Sequence, residues 1–197
     1  WKNSFIVTPD VLVPRPETET LVDAILKENL QGKTLLELGT GSGAISISIA
    51  QENKDCFIFA TDISIKSILV AKQNAAKFYC ENIIFLNHDW NNEWLFPQVD
   101  YLISNPPYVD KEATSGKEEG IWHEPEIALF SKDKGLSDLK LILSKGKNFL
   151  NENGKVYLEH APDQYEELNK FAMDNGYLNF SNLNDLNGDK RVSIYQC

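Results

Sequence analysis

The chain has 197 residues, 42% hydrophobic and 24% charged, the composition of a soluble globular domain long enough for one sizeable core. Nineteen Lys and Arg against 29 Asp and Glu leave a net charge of −10. This balance disfavours broad binding to nucleic acid or anionic membrane, which needs clustered basic side chains. No apolar run approaches membrane-spanning length, and no signal-peptide pattern follows Trp1, so a cytoplasmic location is expected. Cys56, Cys80 and Cys197 include no close pair and read as reduced thiols. His88, His123 and His160 lack ligand spacing, so no metal is expected.

Phe5–Val7 and Val11–Val13 are short extended candidates. Pro14-Arg15-Pro16-Glu17-Thr18-Glu19 then fixes an extended entry to a helix from about Pro16 to Glu28, with Leu21, Val22, Ala24, Ile25 and Leu26 on its apolar face. A turn around Gly32 leads to strand Thr34–Leu38. That strand runs into Gly39-Thr40-Gly41-Ser42-Gly43 and a helix from Ala44 to about Gln51. A strand, glycine turn and helix in this order brings backbone N–H groups up to a ligand, although a tight turn without ligand fits the same residues. Cys56–Thr61 is the next strand, and Asp62 stands at its end, about 20 residues past the glycine turn. That is the spacing for a carboxylate accepting both ribose hydroxyls; a helix N-cap or turn is the plainer role.

A striped helix from about Ser64 to Tyr79 precedes strand Ile83–Leu86. Asp89 and Trp90 follow it at the same sheet edge, where an acid and an indole can receive a purine amino group and its face; a surface turn with Trp90 plugging the core fits equally. Strand Val99–Leu102 delivers Ile103-Ser104-Asn105-Pro106-Pro107-Tyr108 to its C-terminal end, the edge where ligands bind in open α/β sheets. The two prolines hold Asn105 and Pro106 extended and supply no N–H, leaving a stiff rim with one side-chain amide, carbonyl acceptors and an aromatic face. Such a rim suits a planar substrate bearing an NH2 group. Its hydrogens go to the Asn105 oxygen and the Pro106 carbonyl while Tyr108 covers the flat face.

Asp110 to Gly120 reads as a mobile loop over the site. A helix is predicted for Leu136–Phe149, a strand for Lys155–Glu159 and a helix for Gln164–Asn175, ended by Gly176. Leu178–Leu183 and Val192–Tyr195 are predicted to pair antiparallel around the turn-rich 184–189. Strands alternating with helices before a final hairpin predict an α/β, mostly parallel sheet with an antiparallel C-terminal edge.

Glu37-Leu38-Gly39-Thr40-Gly41-Ser42-Gly43 resembles motif I of the Rossmann-like, seven-stranded S-adenosylmethionine-dependent (class I) methyltransferases. A dinucleotide fingerprint is the competitor, since Gly39, Gly41 and Ala44 also fit it. Asn-Pro-Pro-Tyr occurs in methyltransferases acting on planar amino or amide nitrogens. A closer resemblance is to the protein-glutamine methyltransferases of peptide-chain release factors. Val11 to Glu19 looks like that family's signature. Glu124-Pro125, Ala128-Leu129, Gly135-Leu136, Asp163-Gln164 and Gly188-Asp189-Lys190-Arg191-Val192 fall where the family has them. Glu159-His160-Ala161 departs mildly from its usual Glu-Ile-Gly.

The resemblance implies methyl transfer from S-adenosylmethionine, with S-adenosylhomocysteine as product, to the side-chain amide of the glutamine in a release factor's Gly-Gly-Gln loop. Glu37, Gly39, Thr40, Gly41, Ser42, Gly43, Asp62, Asp89, Trp90 and Asn105 would form the cofactor site. Asn105, Pro106, Pro107 and Tyr108 would grip the substrate, with Asn105, Pro106 and Tyr108 nearest the chemistry. Residues 1–197 would form the catalytic domain of a monomer, without the family's N-terminal helical docking domain. Trp1 looks like the residue just after that domain, in keeping with a missing initiator Met. A release factor is the expected partner, with no nucleic acid and no membrane. The alternatives are an adenine-N6 or other nucleobase methyltransferase, a ribosomal-protein glutamine methyltransferase, or a non-catalytic cofactor-binding module.

Overall fold

The structure is a computed structural model and describes residues 3–113 and 124–197. Its centre is a seven-stranded sheet in the order β3-β2-β1-β4-β5-β7-β6. The strands are β1 (Thr34–Leu38), β2 (Phe57–Asp62), β3 (Ile83–Asn87), β4 (Val99–Ser104), β5 (Leu150–Glu159), β6 (Asn179–Asn184) and β7 (Lys190–Gln196). The first five pair in parallel; β7 runs antiparallel to β5 and β6. The helices are α1 (Thr18–Leu26), α2 (Ala44–Glu52), α3 (Ile65–Lys77), the short α4 (Glu126–Leu129), α5 (Ser137–Gly146) and α6 (Tyr165–Asp174).

Period-two alternation explains the layers. Leu36 and Leu38 of β1, Leu102 of β4 and Val156 and Leu158 of β5 pack against Leu139, Ile142 and Leu143 of α5 and Leu168 of α6. Leu35, Ile103 and Tyr157 point the other way, onto Leu21 and Ile25 of α1 and Ile45 and Ile49 of α2. Helices on both faces leave the C-terminal edge of the parallel strands open. The strand order reverses between β1 and β4, and a crevice opens there.

The expected strands at Phe5–Val7 and Val11–Val13 are absent. Residues 3–15 form a strap whose backbone groups are taken by α3 side chains instead of a ladder. The Ile6 N–H donates to Asn74 Oδ1 at 2.7 Å, Asn74 Nδ2 donates back to the Ile6 carbonyl at 2.9 Å, and Ser67 Oγ donates to the Asp10 carbonyl at 3.1 Å. Strand β5 begins at Leu150, earlier than the polar stretch 151–154 suggests. A register shift explains it: Val99 pairs with Leu150 and Tyr101 with Lys155, so the extra β5 residues bulge out. Helix α5 stops at Gly146, and Lys147–Phe149 is a 3-10 turn. Most of the expected loop over the site, together with His123, lies outside the described residues.

Candidate active site

A cavity of about 350 Å3 opens at the C-terminal edge of β1, β2, β3 and β4, walled on one side by the 9–15 strap and on another by α4. Its floor is the turn from Gly39 to Ser42. Gly39 has φ 76° and faces the Trp90 indole so closely that an added Cβ would lie 3.2 Å from Cζ3. Only glycine accepts that backbone at no steric cost. Gly43 sits behind the turn, against Ile47 and Ala71, and does not line the cavity.

Glu37 does not line it either. The side chain is 1% exposed and turned toward α2. Its Oε2 accepts from Thr40 Oγ1 at 2.7 Å and from Ser46 Oγ, whereas Oε1 is buried with no hydrogen-bond partner among the described residues. Burial pushes the Glu37 carboxyl up to about 7, the two hydroxyl bonds opposing the shift. Glu37 thus braces the glycine turn from beneath.

Asp62 ends β2 beside the turn. Oδ2 accepts the Gly41 N–H at 2.9 Å and Oδ1 the Ser64 N–H at 2.8 Å. Each oxygen keeps a lone pair for a further donor. Burial raises its pKa, and these two N–H bonds work against the rise. Asp89 holds the next turn, with Oδ1 accepting from the Asn91 N–H and Nδ2, both at 2.8 Å. Trp90 serves both uses the sequence left open. It packs on the core cluster, and its ring also lines the cavity. Its Nε1 donates to Asp138 Oδ1 at 3.0 Å. Lys145 on α5 fixes the same loop by donating to the carbonyls of Trp90, Asn91 and Asn92, each at 2.9 Å.

The Asn105–Tyr108 rim lies beside this floor. Asn105 and Pro107 line the cavity, whereas Pro106, which is buried, and Tyr108 are not among its lining residues. Asn105 Nδ2 donates to Thr18 Oγ1 at 3.1 Å, and its Oδ1 has no protein partner among the described residues. No donor among those residues reaches the Pro106 carbonyl either. Tyr108 is tethered by its hydroxyl, which donates to Glu159 Oε1 at 3.1 Å. Burial and then the Glu159 charge raise the phenol pKa. The Tyr108 carbonyl accepts from Gln164 Nε2 at 3.0 Å. Glu159 itself is fully buried and pushed up to about 7 by burial, while Thr18, Tyr108 and Arg191 oppose the shift.

Thr18, Asp138, Lys145 and Glu159 were not singled out by chemistry in the sequence. Each acts through a partner far along the chain, which periodicity does not reveal. The strap at Pro9–Leu12 joins the wall for the same reason.

The charge of the cavity discriminates between ligands. Asp10, which is paired with Lys66 at 2.8 Å, Asp62, Asp89 and Asp138 line it; among the described residues the lone lining cation, Arg15, is paired with Glu124 at 2.6 Å. Such a lining repels a pyrophosphate and suits a ligand carrying a sulfonium and an ammonium. The close approach at Gly39 and the spare lone pairs on Asp62 fit that ligand's backbone contacts and ribose.

Comparison with known proteins agrees. The methyltransferase small domain family matches residues 16–124, more than half the chain. The fold is similar to a methyltransferase from Pyrococcus furiosus, with a TM-score of 0.71 at 21% identity over 98% of this chain and 87% of that one. The fold is that of a class I, S-adenosylmethionine-dependent methyltransferase. Among curated relatives, the release factor glutamine methyltransferase of Coxiella burnetii is 37% identical over 98% of this chain and 70% of its own length. A bifunctional methyltransferase of Rickettsia bellii is 34% identical over 98% of this chain, which spans 40% of it. The chain belongs to the release factor glutamine methyltransferase family. Among the described residues, no helix is long and apolar enough to cross a membrane, and no cluster of His, Cys, Asp or Glu could hold a metal ion.

Proposed function

We propose that the protein transfers a methyl group from S-adenosylmethionine to the side-chain amide nitrogen of the glutamine in the Gly-Gly-Gln loop of a peptide-chain release factor. The observation that carries this reading is the orientation of Asn105. Its NH2 is committed to Thr18, so the end left at the cavity is an acceptor oxygen. The adjacent Pro106 carbonyl is a second acceptor without a donor among the described residues. Two acceptors side by side suit an NH2 group with two hydrogens to give.

S-adenosylmethionine, when bound, supplies an electrophilic methyl on its sulfonium. Gly39 to Ser42 would receive its methionine part, Asp62 its ribose hydroxyls, and Asp89 with Trp90 its adenine. Glu37 and Gly43 support that turn from behind. An amide nitrogen is a poor nucleophile because its lone pair is delocalised into the carbonyl. Accepting both N–H hydrogens at Asn105 and Pro106 would fix the nitrogen, bias it toward pyramidal geometry and aim its lone pair at the methyl. On transfer the sulfonium S–C bond would break to leave S-adenosylhomocysteine, and one N–H proton would pass by way of the rim acceptors to water. Pro107 keeps the rim stiff, and Tyr108 covers the amide plane. Positioning of this kind lowers a barrier by as much as roughly 7–11 kcal/mol. The same acceptors favour the positive charge that develops on nitrogen.

The test is Asn105→Ala in a single-turnover assay against a release factor, with calorimetric titration of the cofactor alongside. Cofactor affinity should stay within a few-fold while methyl transfer falls by about 10². Near-normal turnover would make the rim merely structural.

A further inference from the structure

One carboxylate joins two walls of the cavity. Asp138, in the first turn of α5, lines the cavity, and its two oxygens take donors from different segments. Oδ1 accepts from Trp90 Nε1 at 3.0 Å, in the loop after β3. Oδ2 accepts from Ser131 Oγ at 2.5 Å, in the segment after α4. Ser131 Oγ in turn accepts the Asp138 N–H at 3.1 Å. Ser131 is buried and does not itself line the cavity.

The two ends of this link bear on different ligands. At the Trp90 end, the benzo ring faces Gly39 so closely that a Cβ there would lie 3.2 Å from Cζ3 and 3.6 Å from Cη2. The N–H, on the other ring, has Asp138 as its acceptor. The main chain of Trp90 is anchored separately, its carbonyl accepting from Lys145 Nζ at 2.9 Å and from Trp94 Nε1 at 2.8 Å. The loop is thus held without Asp138, and what Asp138 adds is the orientation of the indole. At the other end, the Ser131 N–H donates to the Val109 carbonyl at 3.1 Å, and the Val109 N–H donates to the Leu129 carbonyl at 3.0 Å. Val109 directly follows Tyr108, so residues 129–131 support the Asn105–Tyr108 rim.

We infer that Asp138 is a positioning residue at the junction of the cofactor and acceptor sites. Through Trp90 it fixes the aromatic wall against which the cofactor's adenine packs, and through Ser131 it steadies the rim that holds the substrate amide. The two ligand roles rest on the function proposed above; the orientation of the indole does not. An indole N–H that loses its acceptor in a packed wall costs free energy, so without Asp138 the ring turns to find another partner and shows the cavity a different face. Asn in place of Asp138 keeps an acceptor oxygen for the indole. Its NH2 then meets the Ser131 hydroxyl, which has a second lone pair to receive it. Asp138→Asn therefore removes the charge and keeps both links, whereas Asp138→Ala removes both.

Three readouts test this. The first needs neither ligand. In the 15N-labelled protein, the indole N–H resonance of Trp90, assigned by its loss in Trp90→Phe, should shift and exchange faster with water in Asp138→Ala. In Asp138→Asn its exchange should stay near the wild-type rate. The second is calorimetric affinity for S-adenosylmethionine in a double-mutant cycle. Asp138→Ala should weaken binding roughly tenfold and Asp138→Asn no more than about threefold, and Asp138→Ala should cost little more once Trp90 is already Phe. The third is kcat toward a release factor at saturating cofactor. Ser131→Ala should lower it roughly fivefold while cofactor affinity stays within about twofold. Should Asp138→Ala fail to fold, Asp138→Ser, one atom too short to reach the indole, takes its place. An unmoved Trp90 resonance or unchanged cofactor affinity in Asp138→Ala, or an additive cycle, overturns the Trp90 half. Equal losses in Asp138→Asn and Asp138→Ala assign the effect to charge and overturn it as well. A Ser131→Ala kcat equal to wild type overturns the rim half. A non-additive cycle in a protein that methylates no release factor would overturn the proposed substrate and leave the positioning of Trp90 standing.

Discussion

Asp62 and Glu37 show how two carboxylates one strand apart do different work. Asp62 gathers the N–H groups of Gly41 and Ser64 while keeping lone pairs at the cavity. Asp62→Ala should remove charge-assisted bonds worth roughly 1.5–3 kcal/mol each and loosen the turn as well, so the Kd for S-adenosylmethionine should rise at least about tenfold. Unchanged calorimetric affinity would remove Asp62 from the cofactor site. Glu37 has the opposite character. Its folded pKa, about 7, lies above its ordinary 4.5. The stability it contributes is therefore full below the ordinary value and lost as pH rises through about 7. Relative to wild type, Glu37→Gln should gain unfolding free energy as pH rises across that window, by about 3 kcal/mol at most. Urea titrations of both proteins on either side of the window would check the sign; a difference independent of pH would contradict it.

The elements differ in how far the sequence reveals them. The parallel strands are apolar runs that lead into cavity-lining residues, and β1 falls at the expected residues 34–38. Asp62, Trp90 and Asn105 came to one edge because each ends or follows a parallel strand, a placement that topology alone dictates. The strap defeated the same reasoning, since its Ile and Val side chains look strand-like while its backbone bonds to Asn74 and Ser67. Thr18 and Glu159 were illegible because a polar residue on a helix turn or strand end has many ordinary uses. Gly135 and Gln164 lie between these cases. They fall where the family has them, and the structure supplies the physical reason. Gln164 braces the Tyr108 carbonyl, and a Cβ on Gly135 would lie 1.9 Å from that oxygen, at a φ of 83°. Gly135→Ala should consequently displace the rim and destabilise the fold by more than about 1 kcal/mol. A thermal midpoint and methyl-transfer rate equal to wild type would show that the rim has more room than this packing allows.

At the scale of the molecule, the charge and the cavity point the same way. A net charge of −10 opposes a phosphate backbone, and an acid-lined cavity suits a cationic cofactor. The acceptor pair at the rim asks for an NH2 on a planar group, which both a glutamine side chain and an adenine possess. Charge separates them, because a protein loop brings no phosphates. Reach separates glutamine from asparagine: one methylene less misplaces the nitrogen by about 1 Å, enough to cost roughly 10² in rate. The most direct test is to incubate the protein with methyl-labelled S-adenosylmethionine and a release factor and map the methyl group by mass spectrometry, with an adenine-containing oligonucleotide in a parallel reaction. The account predicts label on the amide nitrogen of the Gly-Gly-Gln glutamine, loss of that label when the glutamine is replaced by asparagine, and none on the oligonucleotide. Label on adenine with an unmodified release factor would contradict it.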